Sequence, residues 1–153
     1  DEALAMHLGD KAVTVSKQAL LFEEFVAREA KAGRFDVAFE RVEAPILVHG
    51  HCHQKAFAAI EPLLDVLRLI PGAQPTLIES SCCGMAGSFG YEASHQAVSS
   101  AMAEASLLPA IRAVPEAIVV ADGTSCRAQI AHGTQRTALH AAMLLARALP
   151  RAT

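Results

Sequence analysis

Apolar and polar positions along this chain follow two different periods, and the switches between them mark its elements. Over residues 16–31, Leu21, Phe22, Phe25 and Val26 fall on one side and Glu23, Glu24, Arg28 and Glu29 on the other, with Gly33 following. That spacing predicts an amphipathic helix with a glycine stop. Pro45-Ile46-Leu47-Val48 is a short apolar, β-branched run and predicts a buried strand. Helix is expected over 54–59 and 61–69, with Glu61 as cap and Pro62 at the first helical position, ended by Pro71-Gly72. Thr76-Leu77-Ile78 predicts a second strand. Residues 88–107 predict a long helix with Ala97, Val98, Met102 and Ala105 inward, closed or kinked by Pro109. Ile118-Val119-Val120-Ala121 predicts a third strand. A short helix to His132, broken by Gly133, and a last helix over 134–149 with Leu139, Met143 and Ala146 inward complete the chain. Residues 1–12 show no clear period.

Strands alternating with helices predict a three-layer α/β/α fold around a small parallel sheet with right-handed crossovers. In such sheets ligands bind outside the carboxyl ends of the strands. All three predicted strands run into a cysteine loop there: His51-Cys52-His53, Cys82-Cys83-Gly84 and Ser125-Cys126. The cysteines are therefore expected to converge.

Composition narrows the setting of that site. A chain of 153 residues reads as one domain over 1–153 with a core large enough to need no disulfide staples. A net charge of −3 offers no basic footprint for nucleic acid. No apolar run approaches the roughly 18–20 residues that span a bilayer. The start Asp1-Glu2-Ala3-Leu4 lacks the basic region of a signal peptide, so the chain reads as cytoplasmic. In that compartment cysteines favour metal or redox chemistry over disulfides.

Adjacent Cys82 and Cys83 can serve one ligand only if the backbone turns sharply between them. Gly84 and Gly87 supply positive φ at no steric cost. The plainer alternative is a tight turn with two buried small hydrophobes. Each cysteine precedes a helical stretch, whose N-terminal N–H groups are expected to lower the thiol pKa. Four thiolates together call for a metal, and soft sulfur selects zinc or an iron–sulfur cluster. The spacing is neither that of a zinc ribbon nor that of a bacterial ferredoxin. His49, His51 and His53 alternate and could share a face. His51 or His53 could ligate, although support of the ligands through hydrogen bonds is expected more. Arg127 could offset the charge of a bound centre or meet a carboxylate. His95, His132 and His140 read as surface or packing residues. A Cys–His nucleophile built on His51 or His53 is a separate alternative, but it uses one cysteine of four.

Three segments carry a family resemblance: His51-Cys52-His53-Gln54-Lys55-Ala56, the run from Ser81-Cys82-Cys83-Gly84 to Gly90-Tyr91-Glu92, and Gly123-Thr124-Ser125-Cys126-Arg127. Together they resemble the cysteine-rich CCG domain found in heterodisulfide reductase and in glycolate oxidase iron–sulfur subunits, especially the carboxyl-terminal part of FAD and iron–sulfur D-lactate dehydrogenase-like oxidoreductases. The resemblance implies that Cys52, Cys82, Cys83 and Cys126 hold an iron–sulfur cluster of 4Fe–4S type, or zinc, with His51, His53, Gly84 and Arg127 around them. It implies a piece of a larger oxidoreductase, with FAD on a separate domain of the same or a partner chain and a second CCG repeat. An electron acceptor is implied too, and a location in the cytoplasm or peripheral to the inner membrane through the parent complex. The family pattern ends in Cys-x-x-Cys, and here Gly123 stands in place of its first cysteine. A zinc-binding structural or interaction module is the alternative reading.

Overall fold

The computed structural model describes residues 9–80 and 82–150; the acidic start and Ser81 lie outside the described residues. Strands β1 (Ile46–His49), β2 (Pro75–Leu77) and β3 (Ile118–Ala121) form one parallel sheet in the order β2-β1-β3. β1 is central, with Leu47 opposite Thr76 on one side and Val119 on the other. Ile46, Val48 and Val120 enter one core, while Leu47, Val119 and Ala121 enter a second on the opposite face. Burial on both faces explains why the strands read as unbroken apolar runs.

The helices are α1 (Asp10–Gln18), α2 (Phe22–Lys31), α3 (Cys52–Ala56), α4 (Ile60–Leu67), α5 (Gln96–Glu104), α6 (Leu107–Arg112), α7 (Thr124–Thr134) and α8 (Ala141–Arg147). α2, α4 and α8 pack together over one face, and α5, α6 and α7 over the other. The fold is the expected α/β/α sandwich.

Helix boundaries depart from the sequence reading where local caps or prolines decide. The helix expected over 16–31 is two helices. Leu21 donates its N–H to Glu24 Oε2 at 2.7 Å, and that cap starts a new helix at Phe22. Phe22 and Phe25 are then exposed, and Glu23 is buried with Val26 and Ala27. Glu61 is not a cap; α4 starts at Ile60, with no side-chain cap, and Glu61 pairs with Arg68 at 2.7 Å. The long helix expected over 88–107 is a 3-10 turn (Phe89–Tyr91) followed by α5 and α6. Pro109 has no N–H for the carbonyl of residue 105 and its ring would clash there, so the break falls ahead of it. The inward face is Ser99, Ala103 and Leu107, with Val98 and Met102 exposed. Gly133 stays helical, and Gln135 at φ 58° ends α7. Leu139 bridges to Val120 as strand, and α8 begins only at Ala141, turning Leu144 and Leu145 inward and Met143 outward.

Candidate metal centre

The ends of the three strands deliver all four cysteines to one edge of the sheet. Cys52 opens α3 just after β1, Cys82 and Cys83 lie in the loop after β2, and Cys126 sits in the first turn of α7 after β3. All four are free thiols. They form two tiers. At the rim, exposed Cys52 and half-buried Cys82 bring their Sγ atoms within 3.7 Å. At the floor, Cys83 is 3% exposed and Cys126 1%, and a ring nitrogen of fully buried His49 lies within 4.8 Å of both sulfurs.

A sharp turn separates the two adjacent cysteines. Gly84 has φ 85°, and a Cβ there would stand 2.1 Å from the Ser99 carbonyl oxygen on α5. Only glycine allows that approach. Gly84 N–H in turn donates to Cys82 Sγ at 3.3 Å. Ser99 is held from α7 by Gln129 Nε2 and reaches Met85 Sδ at 3.6 Å, so two helices brace the loop. The expected helix directly after the cysteine pair is absent, and this braced loop takes its place.

Thiol ionisation therefore does not follow the helix ends. Cys83 is pulled down to about 4, first by the hydrogen bond that the Cys126 thiol donates to it and then by His49 and the Met85 N–H. Cys126 is pushed up as that donor, and burial adds to the rise. Cys52, at the start of a helix of five residues, is raised by burial and by Cys82. The floor is one thiolate clamped by one thiol, a coupled pair in which the partner, not the dipole, decides.

Of the three alternating histidines, His51 and His53 meet edge to face with ring centroids 5.1 Å apart, and His49 is buried apart from solvent. His49 ends β1 and points to the floor. His51 caps α3, its Nδ1 accepting from His53 N–H at 3.3 Å, and burial with neighbouring His53 lowers its pKa. His53 is exposed. Among the described residues Arg127 makes no ion pair with a carboxylate and no hydrogen bond to the thiols. Its guanidinium donates to the carbonyls of Ala121 and Asp122 and to Thr124 Oγ1, closing the turn after β3. At Gly123, a Cβ would meet His51 Cδ2 at 2.4 Å and Cys126 Sγ at 2.9 Å. The ring of His51 thus fills the space that a side chain at 123 would need.

A second cluster escaped the sequence reading. Glu23, Asp122 and His140 bring ligand-type atoms within 4.8 Å of one another, beside a cavity of about 390 Å³ that His51, His53 and Gln54 also line. Asp122 accepts from Gln54 Nε2 at 2.6 Å and from Ala141 N–H at 2.8 Å. Glu23 Oε1 has no hydrogen-bond partner and lies 3.9 Å from His140 Nε2, and burial with the Asp122 charge raises that carboxyl's pKa. A polar residue on the inward face of α2 was the signal available.

No helix among the described residues is long and apolar enough to cross a membrane. No family model matches the chain, and no solved structure matches it. Curated relatives do, among them the C subunit of the anaerobic glycerol-3-phosphate dehydrogenase of Escherichia coli strain K12 and that of Escherichia coli O157:H7. Each is 33% identical over 107 residues, which is 68% of this chain and 26% of the relative. The chain spans about a quarter of the length of these relatives and is their distant homologue.

Proposed function

We propose that this chain is a metal-binding electron-transfer domain of an oxidoreductase, in which Cys52, Cys82, Cys83 and Cys126 hold an iron–sulfur cluster. The convergence of four free cysteines from three strand ends carries the reading. The donor set fits a soft metal centre: the pKa of Cys83 is pulled down by the Cys126 thiol, and the buried His49 Nε2 has no hydrogen-bond partner. When bound, such a cluster supplies reversible one-electron chemistry. The protein's part is to seat it. The floor excludes water through Cys83, Cys126 and His49, while the rim pair opens toward solvent and a partner. Similarity to one component of a dehydrogenase supports a partner that oxidises substrate, and the CCG-type resemblance supports a flavin domain acting on a 2-hydroxy acid as electron source. The exposed Cys52, between His51 and His53, has its pKa raised rather than lowered, which speaks against a cysteine nucleophile there.

Zinc is the second reading, because the 3.7 Å between the rim sulfurs is close to the edge, about 3.8 Å, of a tetrahedron with Zn–S bonds of ~2.3 Å. Anaerobic analysis of iron, zinc and acid-labile sulfide separates the two. Iron with sulfide, and an EPR signal that changes when the protein's electron donor is added, is the expected result. Zinc without sulfide would replace the cluster with a structural ion and end the electron-transfer reading.

A further inference from the structure

Among the described residues His49 is the one histidine buried from solvent. It is fully buried at the carboxyl end of the central strand, level with Ala121 of β3. Its Nδ1 lies 2.9 Å from Ser80 Oγ, and its Nε2 is buried with no hydrogen-bond partner. A neutral imidazole buried with one nitrogen unmatched forfeits a hydrogen bond, a cost that folding does not ordinarily leave standing. A ring nitrogen nevertheless stands within 4.8 Å of the sulfurs of both Cys83 and Cys126. One ring nitrogen tied to a fixed oxygen and the other turned toward thiols is the arrangement of a metal-bound histidine, whose outer N–H is held by a hydrogen bond that sets its tautomer.

At Gly123 the space a Cβ would fill is taken by the His51 ring and Cys126 Sγ. A fifth thiolate cannot enter from β3. We propose that His49 supplies a further donor, binding through Nε2 the same metal centre that Cys83 and Cys126 hold, so that the floor is a mixed nitrogen and sulfur site. This rests on the reading of the cysteines as ligands. It also gives the orphaned nitrogen a partner and places a neutral ligand where a thiolate would add charge. A neutral imidazole in place of a thiolate raises the reduction potential of an iron–sulfur centre.

The test uses the protein carrying ¹⁵N-histidine or natural histidine, loaded anaerobically with iron and sulfide, and in parallel with cobalt(II) alone. Pulsed EPR reads the nitrogen coupling, and metal analysis reads loading. Strong coupling to one directly bound imidazole, altered by the label and lost in His49→Cys while that variant still loads metal and titrates at a lower potential, is the expected result. His49→Gln, which keeps a polar group near Ser80, should load less metal and show no strong coupling. Loaded protein without strong nitrogen coupling, or with only the weak coupling of a hydrogen-bonded ring, would overturn His49 as a ligand and leave the cysteine reading intact. Coupling that survives in His49→Gln would assign the nitrogen elsewhere. Failure of the unmodified protein to take up either metal would overturn the cysteine reading and the His49 ligand with it.

Discussion

The floor and the rim of the cysteine site use the same side chain in opposite environments. Cys83 and Cys126 are sealed under α5 and α7 with His49, share a hydrogen bond and divide between them one low and one high affinity for the proton. Cys52 and Cys82 lie nearer solvent, organised by their mutual approach and by the Gly84 N–H that Cys82 Sγ accepts. A preorganised donor gains affinity because little of its binding energy goes into ordering it, whereas a mobile one must still be fixed. The floor should therefore decide whether metal binds, and the rim should decide how easily it is lost or oxidised.

The sharpest way to break that comparison is to remove one sulfur from each tier. Cys83→Ser should lower metal occupancy by more than about 100-fold, beyond the range seen for losing a group that merely supports a ligand, and Cys52→Ser by about tenfold. Titration of the anaerobic protein with iron and sulfide gives both numbers. Equal losses would mean that burial confers no advantage and that the tiers are one site.

Next in size is Gly84→Ala, which tests whether the turn that sorts Cys82 from Cys83 depends on glycine. A methyl there would sit at positive φ, 2.1 Å from the Ser99 carbonyl oxygen, so backbone must move. Destabilisation of about 3 kcal/mol in chemical unfolding of the metal-free protein is expected. Gly87→Ala, with open space around its Cβ position and only its φ of 70° against it, should cost about 1 kcal/mol. A Gly84 variant as stable as the Gly87 one would refute the close approach.

Reactivity sharpens the comparison further. In metal-free protein, iodoacetamide should label Cys52 and Cys82 before Cys83 and Cys126, even though Cys83 is the thiolate, because access limits the floor. Diamide, accepting two electrons and two protons, should join the rim sulfurs as a disulfide; a modest side-chain rotation would bring them from 3.7 Å to the bonded length of ~2.05 Å. Peptide mapping reads both results. First labelling at Cys83 would reverse the assignment of tiers.

What is legible in the sequence divides along similar lines. Apolar runs such as Ile118–Ala121, buried on both faces, announce strands wherever they stand, and each strand's cysteine follows it at once, so the convergence can be read without side chains. Helix faces are misread at α2, α5 and α8, because a cap at Glu24, a proline at 109 and a strand-like Leu139 shift their starts, and a shifted start rotates the whole face. Thiol ionisation is misread for a different reason. Helix ends are visible in sequence, but the Cys126–Cys83 hydrogen bond and the burial of His49 arise only when three loops meet. Among the histidines the flanking pair draws attention through the motif, while the one completing a strand has the better-placed ring.

The smallest effect concerns Glu23, a buried group that, like His49, has an atom without a hydrogen-bond partner. Burial and the neighbouring Asp122 raise its folded pKa above the ordinary 4.5. An acid raised in the folded state binds its proton more tightly there than in the unfolded chain. Its contribution to stability is then full below the unfolded pKa, is lost as pH rises through the folded one, and stays lost above it. Glu23→Gln keeps the shape and removes the charge, so it should be more stable than the unmodified protein at pH 7, by about 1 kcal/mol or less, with the advantage shrinking toward pH 4.5. Thermal melts of metal-free protein across that window, taken as the difference between the two proteins so that titration of the thiols largely cancels, give the sign. A difference independent of pH would show that Glu23 titrates normally. A loss of stability at pH 7 would mean that the pairing of its carboxylate with His140 Nε2 at 3.9 Å outweighs burial, and the likeness between this cluster and the thiol floor would end there.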